Sequence, residues 1–590
     1  YMTPVRDCAK TLTELLAAPC GVIAKFIRVW TWVDSCLAIG FESETKETTC
    51  FKLKWFKILA NEVVKHRSTH YASARWKTYC KAIYLKFGGS IQPLPEFNPG
   101  DPRPPENTWM KSEYLTLDEK ARWSCMINTR GLPSGDHVTQ AIALEEHTLA
   151  LTKGSPPNEC ELSILENYSR IAARDIKRRI KHNWFSKKTG HVSLSNSSCL
   201  EATRGLGGKR VYILNQVKAW LDTVPAESKH VVLPTGESIV YDKGLPLWKT
   251  VKPPLMEPPD SNRMEKFSTG LLTEDFVGAE GERVGFQLFA WAFTTLLEEG
   301  YIDKRGFSSG KALPIERVAI GEPGNKVRIA TKSKAALVLY GQPFAHVMKE
   351  ILSHDPALRA GLGSGYQAFE WLKLVERSDR SSVPKHIMVG DFVAATDHVD
   401  HVAGKRAMYA LTDEMHIGSK YIDGWISILL SPREYEDEDG VLVESNTGCL
   451  MGEPGTKIVL TFLAKVANVY AWKGRSGSLF ATAGDDQIDA ADDPRILLEY
   501  ADASKITTMV PSDDKWAIMT HAAVYCQQTL QAGVLVSQSE IAIPKFRLCS
   551  REQKTNRGDD DTNPSYGKAR MLLKEANWCN ARHKDIVNSM

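Results

Sequence analysis

The stretch LFATAGDDQIDA, Leu479–Ala490, places two apolar-rich arms on either side of Gly484-Asp485-Asp486. This is the pattern of a tight β-hairpin, because glycine readily enters the positive-φ region that short hairpin turns demand. Two carboxylates would then stand at the tip. Adjacent acids at a turn repel each other and gain nothing by packing, so a cation is their natural compensation. The tripeptide alone decides nothing: Gly558-Asp559-Asp560 repeats it inside the polar run NRGDDDTNP, where no strand pattern surrounds it and a solvated loop is expected. The first copy carries meaning only with a partner carboxylate on a neighbouring strand.

The composition is that of an ordinary globular protein: 590 residues, 43% hydrophobic and 25% charged, enough for several domains and a large core. A net charge of +3 does not mark a nucleic-acid binder, so any basic surface must be local. The 12 cysteines form no CxxC pair, which argues against a zinc ribbon or disulfide scaffold and for reduced thiols in a cytosol-like compartment. The most apolar early run, Gly21–Phe41, is broken by Lys25, Arg28 and Asp34, so no membrane span is expected. Arg6 and Lys10, with few acids nearby, leave an organelle-targeting reading of the first 30 residues open beside a cytoplasmic one.

Residues 1–91 show mostly helical spacing and form an N-terminal helical region; 92–108, QPLPEFNPGDPRPPENT, is a Pro-rich linker or surface strap. Within 109–260, nine cations between Arg170 and Arg210, among them Lys177, Arg178 and Arg179, face only Asp175 and Glu201, and Trp184 and Phe185 interrupt the run. Basic residues interleaved with aromatics suit a single-stranded nucleic-acid groove; a solvated helix face fits equally. A phosphate-loop reading of Gly205–Arg210 fails, because Thr203 stands where the first glycine belongs and Arg210 where Ser or Thr would be.

Further on, IGEPGNKVRIATK at 320–332 is a turn leading into a strand on which Lys326 and Arg328, two apart, share a face. They could clamp a triphosphate or merely guard an exposed edge. Lys385–Gly390 reads as a buried strand ending at Asp391. Asp397 follows six residues later at an expected helix start, as a ligand or as a cap. Asp397, His398, Asp400 and His401 can also be drawn as a zinc site. Gly448–Thr456 is a glycine-rich loop feeding a helix whose Ile458, Phe462, Val466 and Tyr470 keep i, i+4 spacing. After the hairpin come a helix at Pro494–Ile506, a strand at Lys515–Met519 and a helical or turn segment at His521–Gln531.

The order of these signals resembles motifs F, A, B, C and D of viral RNA-dependent RNA polymerases. DFVAATD and GEPGNKVR are closest to the narnavirus, mitovirus and ourmia-like group, and SNSSCLEATRGLGG at 195–208 is similar to a stretch of ourmia-like replicases. The resemblance covers roughly 315–530. It implies an α+β right-hand polymerase fold with fingers, a palm bearing an antiparallel sheet and a small thumb, largely helical outside the palm. Motif F would lie at 320–332 within fingers spanning 261–384. The palm at 385–530 would hold motif A (385–397), B (448–470), C (479–490) and D (494–519), with a fingers insertion at about 405–445 and a thumb at 531–590. By motif position Asp391, Asp485 and Asp486 would hold two magnesium ions, with manganese able to substitute. Lys515 would be a general acid for pyrophosphate, Lys326 and Arg328 would bind the triphosphate, and Asp397 with Thr456 would read the sugar. Gly452 would contact RNA, as would Lys177, Arg178 and Arg179 where the basic run lines a nucleic-acid groove.

The implied activity is template-directed RNA synthesis from nucleoside triphosphates on single-stranded RNA, by a monomer in the host cytoplasm or mitochondrion. Two departures stand out: Val393 occupies a frequent serine position, and Leu460 stands where many plus-strand polymerases place an asparagine that helps read the sugar. A reverse transcriptase shares the palm, and a non-enzymatic RNA-binding protein would need only the basic run. A two-metal nuclease would not need the Lys326–Arg328 pair.

Overall fold

A computed structural model describes residues 2–40, 45–93, 98, 100–103, 123, 127, 129, 131–152, 154, 156–180, 190–223, 229–232, 238–241, 265–268, 280–363, 367–417, 420–473, 475, 477–512, 516–526 and 528–535. The second Gly-Asp-Asp copy, Lys515, the expected thumb from 536 onward and most of the Pro-rich strap lie outside the described residues.

Strands are numbered along the chain: β1 His191–Leu194, β2 Lys229–Val232, β3 Ser238–Tyr241, β4 Glu265–Ser268, β5 Leu313–Glu322, β6 Lys326–Ser333, β7 His386–Gly390, β8 Arg433–Glu436, β9 Leu442–Glu444, β10 Ala481–Ala483, β11 Asp486–Ala491, β12 Ala517–Met519, β13 Ala522–Tyr525 and β14 Gln528–Gln531. The central sheet has the order β10-β11-β7-β12 and is antiparallel throughout.

Side-chain alternation divides this sheet's two faces. Ile387, Val389, Ile488, Ala490, Ala517 and Met519 join Trp371, Leu372 and Val375 of the helix Gln367–Glu376. Met388, Ile518 and Ala491 join Phe462 and Val466 of the helix Thr456–Trp472 in the largest core cluster. With both faces covered, β7 and β12 read as short continuous apolar runs rather than as alternation. The helix Thr456–Trp472 is buried almost all round, from Ile458 to Trp472, as suits a core helix. It ends at Lys473, whose φ of 46° turns the chain and whose amide bonds back to Val469 and Tyr470.

The N-terminal region forms helices Met2–Leu16, Cys20–Gly40, Lys46–His66 and His70–Gly88. Trp55 meets Trp76 edge-on at 5.1 Å, and Tyr79 packs beside both, filling a separate core with rings that bury large areas each. This region docks on the central sheet. Ser90 bridges Met519, and the Ile91 amide donates to the Ile518 carbonyl at 3.0 Å. A Cβ on Gly88 would stand 2.8 Å from the Ala522 carbonyl, so glycine permits the close approach.

A second sheet, β6-β5-β8-β9, carries the hairpin with Lys326 and Arg328, and β8 pairs parallel to β5. Two expectations are corrected. His521–Gln531, expected as a helical or turn segment, is the hairpin β13–β14: Ala522 and Ala523 are buried on its opposite faces, in two different core clusters, and Cys526 turns the chain with φ 47°. The helix after Asp391 starts at His401, four residues past Asp397, because Asp400 caps it by accepting from the Ala403 amide. Among the described residues no helix is long and apolar enough to cross a membrane.

Candidate active site

The register of the central sheet brings the separated carboxylates to one end. Gly390, the last residue of β7, pairs with Gln487, so Asp391 follows at the level of Asp486 on the adjoining strand. Ala483 pairs with Asp486, and Gly484 (φ 82°) and Asp485 make the turn between them. Asp485 and Asp486 are exposed, whereas Asp391 is 9% exposed. The Asp391 carbonyl accepts from the Ser512 amide, and Val393 donates to Val510, pinning the strand end. Hard carboxylate oxygens on an exposed rim suit a divalent cation that keeps water and substrate oxygens in its remaining positions. The fit is one of donor chemistry and register. Among the described residues, no group of three or more His, Cys, Asp or Glu is gathered closely enough to hold a metal ion.

Below the tip the hairpin is fixed by Asp489, which the sequence reading did not single out. Its carboxylate accepts from Asn468 Nδ2 at 2.8 Å and Trp472 Nε1 at 2.7 Å, both on the core helix, and from the Leu479 and Ala490 amides at 3.0 and 2.8 Å. Burial raises its pKa to about 6 despite these four donors. The signal available in the sequence was an acid inside an otherwise apolar arm.

The glycine-rich loop is shaped by close approach. Gly452 has φ 116°, and a Cβ there would lie 2.6 Å from the Thr331 carbonyl on β6. Thr331 in turn donates its amide and hydroxyl to the Met451 carbonyl, at 3.0 and 2.6 Å. The Thr456 hydroxyl is buried and donates to the Leu450 carbonyl at 2.7 Å, closing the loop. Glu453, also not singled out from sequence, forms a bidentate pair with Arg433 at 2.9 and 2.8 Å, and both side chains are 1% exposed. Ser333 of β6 donates to the same carboxylate at 2.9 Å.

Lys326 and Arg328 project from one exposed face of β6, the edge strand of its sheet, and Arg328 lies 3.4 Å from Glu322. Asp397 is 8% exposed, and burial raises its pKa to about 6 against the hydroxyl of Thr396, which donates at 2.6 Å. His147 Nε2 stands 3.7 Å from it. That spacing would suit an ion pair, but burial and then Arg317 lower the His147 pKa to about 4. At neutral pH the contact is therefore a carboxylate beside a neutral imidazole.

The zinc reading fails: Asp400 is a helix cap and His401 Nε2 bonds the Gly448 carbonyl at 3.1 Å. The basic run is largely paired in place on the helix Glu159–Arg179. Lys177 donates to the Glu414 carbonyl at 2.7 Å, Arg179 pairs with Asp175 at 3.4 Å and Arg174 with Glu414 at 2.8 Å, while Arg178 is exposed.

No protein-family model matches the chain, and no curated protein matches it. Among solved structures it is similar to the RNA-dependent RNA polymerase of a human picobirnavirus, at 13% sequence identity and a TM-score of 0.35. The match covers 48% of this chain and 56% of that one, so it spans little more than half of that polymerase's length.

Proposed function

We propose that the chain is a viral RNA-directed RNA polymerase of the narnavirus, mitovirus and ourmia-like kind, with a right-hand fold whose palm is the central sheet. One observation carries the reading: β7 and β11 are in a register that sets Asp391 beside the Asp485-Asp486 tip. The ordered motifs around this edge support it. Asp391, Asp485 and Asp486 would hold two magnesium ions, or manganese, which when bound activate the attacking 3′ hydroxyl and stabilise charge in phosphoryl transfer.

Lys326 and Arg328 give charge-assisted hydrogen bonds to the triphosphate of the incoming nucleotide. Asp397 reads the ribose, with Thr456 shaping the loop beside it, and Lys515 protonates the leaving pyrophosphate. Asn468 and Trp472 hold Asp489 and thereby the height of the carboxylate tip. Gly452 lets the loop reach β6 and the template path, and Lys177, Arg178 and Arg179 flank the RNA. The chain works as a monomer on single-stranded RNA in the host cytoplasm.

The test is incorporation of labelled ribonucleotides and deoxyribonucleotides by the full chain. Ribonucleotides should be incorporated in preference, and Asp391→Ala should abolish incorporation while leaving circular dichroism unchanged. Near wild-type elongation by that variant would reassign the site.

A further inference from the structure

The tip of the β5–β6 hairpin is held from outside, by a part of the chain to which the proposed chemistry gives no role. Asn325 stands at the tip with φ 48° and is 6% exposed. Its amide donates to the Pro133 carbonyl at 2.7 Å, and the Gly324 amide to that of Leu132 at 2.8 Å. Lys77 Nζ donates to the Asn325 carbonyl at 2.9 Å. The Asn325 side chain donates to the His70 carbonyl at 3.3 Å, and its Oδ1 lies 3.3 Å from the Thr139 hydroxyl, which it shares with Asp136 Oδ1 at 3.0 Å. These partners are themselves joined: His70 Nδ1 meets Thr139 Oγ1 at 2.9 Å, and Asp136 accepts from Ser68 at 2.6 Å and from the Thr139 amide at 3.1 Å. The fit is close, since a Cβ on Gly135 would stand 2.7 Å from Val327 Cγ2.

An edge hairpin that carries exposed cations ordinarily opens first at its turn. Here the turn is bonded on every side, and the next residues along the strand are Lys326, Val327 and Arg328. Asparagine is among the few residues that take a left-handed conformation at small cost while keeping a side chain to bond with. We propose that the N-terminal helical region, through His70 and Lys77, and the segment 132–139 together brace this hairpin, with Asn325 as the positioning residue that sets Lys326 and Arg328 for the triphosphate of an incoming nucleotide. The inference rests on the polymerase reading above. A braced pair of cations need not be ordered at the moment of binding, so the brace acts on nucleotide capture rather than on the chemical step.

In the full chain, Asn325→Gly keeps the positive φ and removes the side-chain bonds, and Lys77→Met removes one bond from 248 residues away. Each should raise the nucleotide KM by about tenfold with kcat and RNA affinity within about twofold. Each should also speed amide exchange across 319–330 while β7 and β11 keep their protection. Asn325→Asp, which keeps the left-handed tolerance and the acceptor for Thr139, should fall between these variants and wild type. Unchanged exchange across 319–330 in both variants would overturn the brace, and faster exchange with an unchanged KM would overturn its part in nucleotide capture. A wild-type chain that incorporates no nucleotide refutes the polymerase reading by itself. The exchange arm, together with protection of 319–330 by inorganic tripolyphosphate, then still decides the brace.

Discussion

Replacing Glu453 by glutamine tests how the glycine-rich loop is held. The Glu453 carboxylate receives Nε and Nη2 of Arg433 at 2.9 and 2.8 Å, and each side chain is 1% exposed. Glutamine is nearly isosteric, so packing is preserved while the guanidinium loses its counter-charge and one acceptor becomes a donor facing donors. Breaking a buried pair from one side costs about 3–5 kcal/mol, because the remaining charge is left uncompensated out of water. Arg433→Met should cost more than Glu453→Gln. Arg433 also caps the carbonyls of Ser431 and Leu429 at 2.6 and 3.2 Å, whereas the Ile428 carbonyl it reaches at 3.1 Å keeps the Ser431 hydroxyl; each buried acceptor left unpaired adds about 1–3 kcal/mol. The double variant Arg433→Met/Glu453→Leu should be less destabilised than the sum of Arg433→Met and Glu453→Leu, since no unpaired charge remains at the loop. Urea unfolding of wild type, Glu453→Gln, Glu453→Leu, Arg433→Met and the double variant measures all of this. A Glu453→Gln loss under about 1 kcal/mol, or strict additivity in the double variant, would refute the reasoning.

Three further outcomes are expected. Lys326→Ala or Arg328→Ala should each remove about 1.5–3 kcal/mol of nucleotide binding, read as a higher KM with RNA affinity held, and a matching loss of RNA binding would place the pair on the template path instead. Asp397→Ala should bring ribonucleotide and deoxyribonucleotide incorporation towards parity, a change of about one to two powers of ten in selectivity, and an unchanged preference would mean the sugar is sorted elsewhere. The Asp489 pKa is raised by burial to about 6, so its contribution to stability is full below the ordinary carboxylate pKa and is lost as pH rises towards 6. The stability gap between wild type and Asp489→Asn should therefore narrow from pH 4 to 7, and a gap that widens would show that the four donors outweigh burial.

Much of the central sheet was legible in the sequence because its signals are local. The glycine turn at Gly484, the strand ending at Gly390 and the loop-then-helix at Gly452–Thr456 each announce themselves within a dozen residues. The hairpin β13–β14 was legible only as a helical or turn segment, because it is buried on both faces and so shows no apolar–polar alternation: Ala522 packs on the N-terminal helices, and Ala523, Tyr525 and Leu530 join the cluster of the central sheet. Asp489, Glu453 and Asn325 were invisible as structural centres for another reason. The helix partners of Asp489 lie 17 and 21 residues away, Arg433 and Ser333 lie 20 and 120 from Glu453, and His70 lies 255 from Asn325, so only the fold brings such groups together. The basic run at 170–210 is a similar case. Its composition fits a cationic groove and a solvated helix face equally, and only the fold shows that Arg174 pairs with Glu414, Arg179 with Asp175, and that Lys177 donates to the Glu414 carbonyl.

The central claim, template-directed synthesis at the Asp391–Asp485–Asp486 edge, is tested most directly by extension on a defined single-stranded RNA template with one ribonucleotide omitted. Products should stop one residue before the first template position that calls for the missing nucleotide, run to full length when it is restored, and vanish with Asp485→Asn. Extension that ignores the omission, or that persists in Asp485→Asn, would contradict the account.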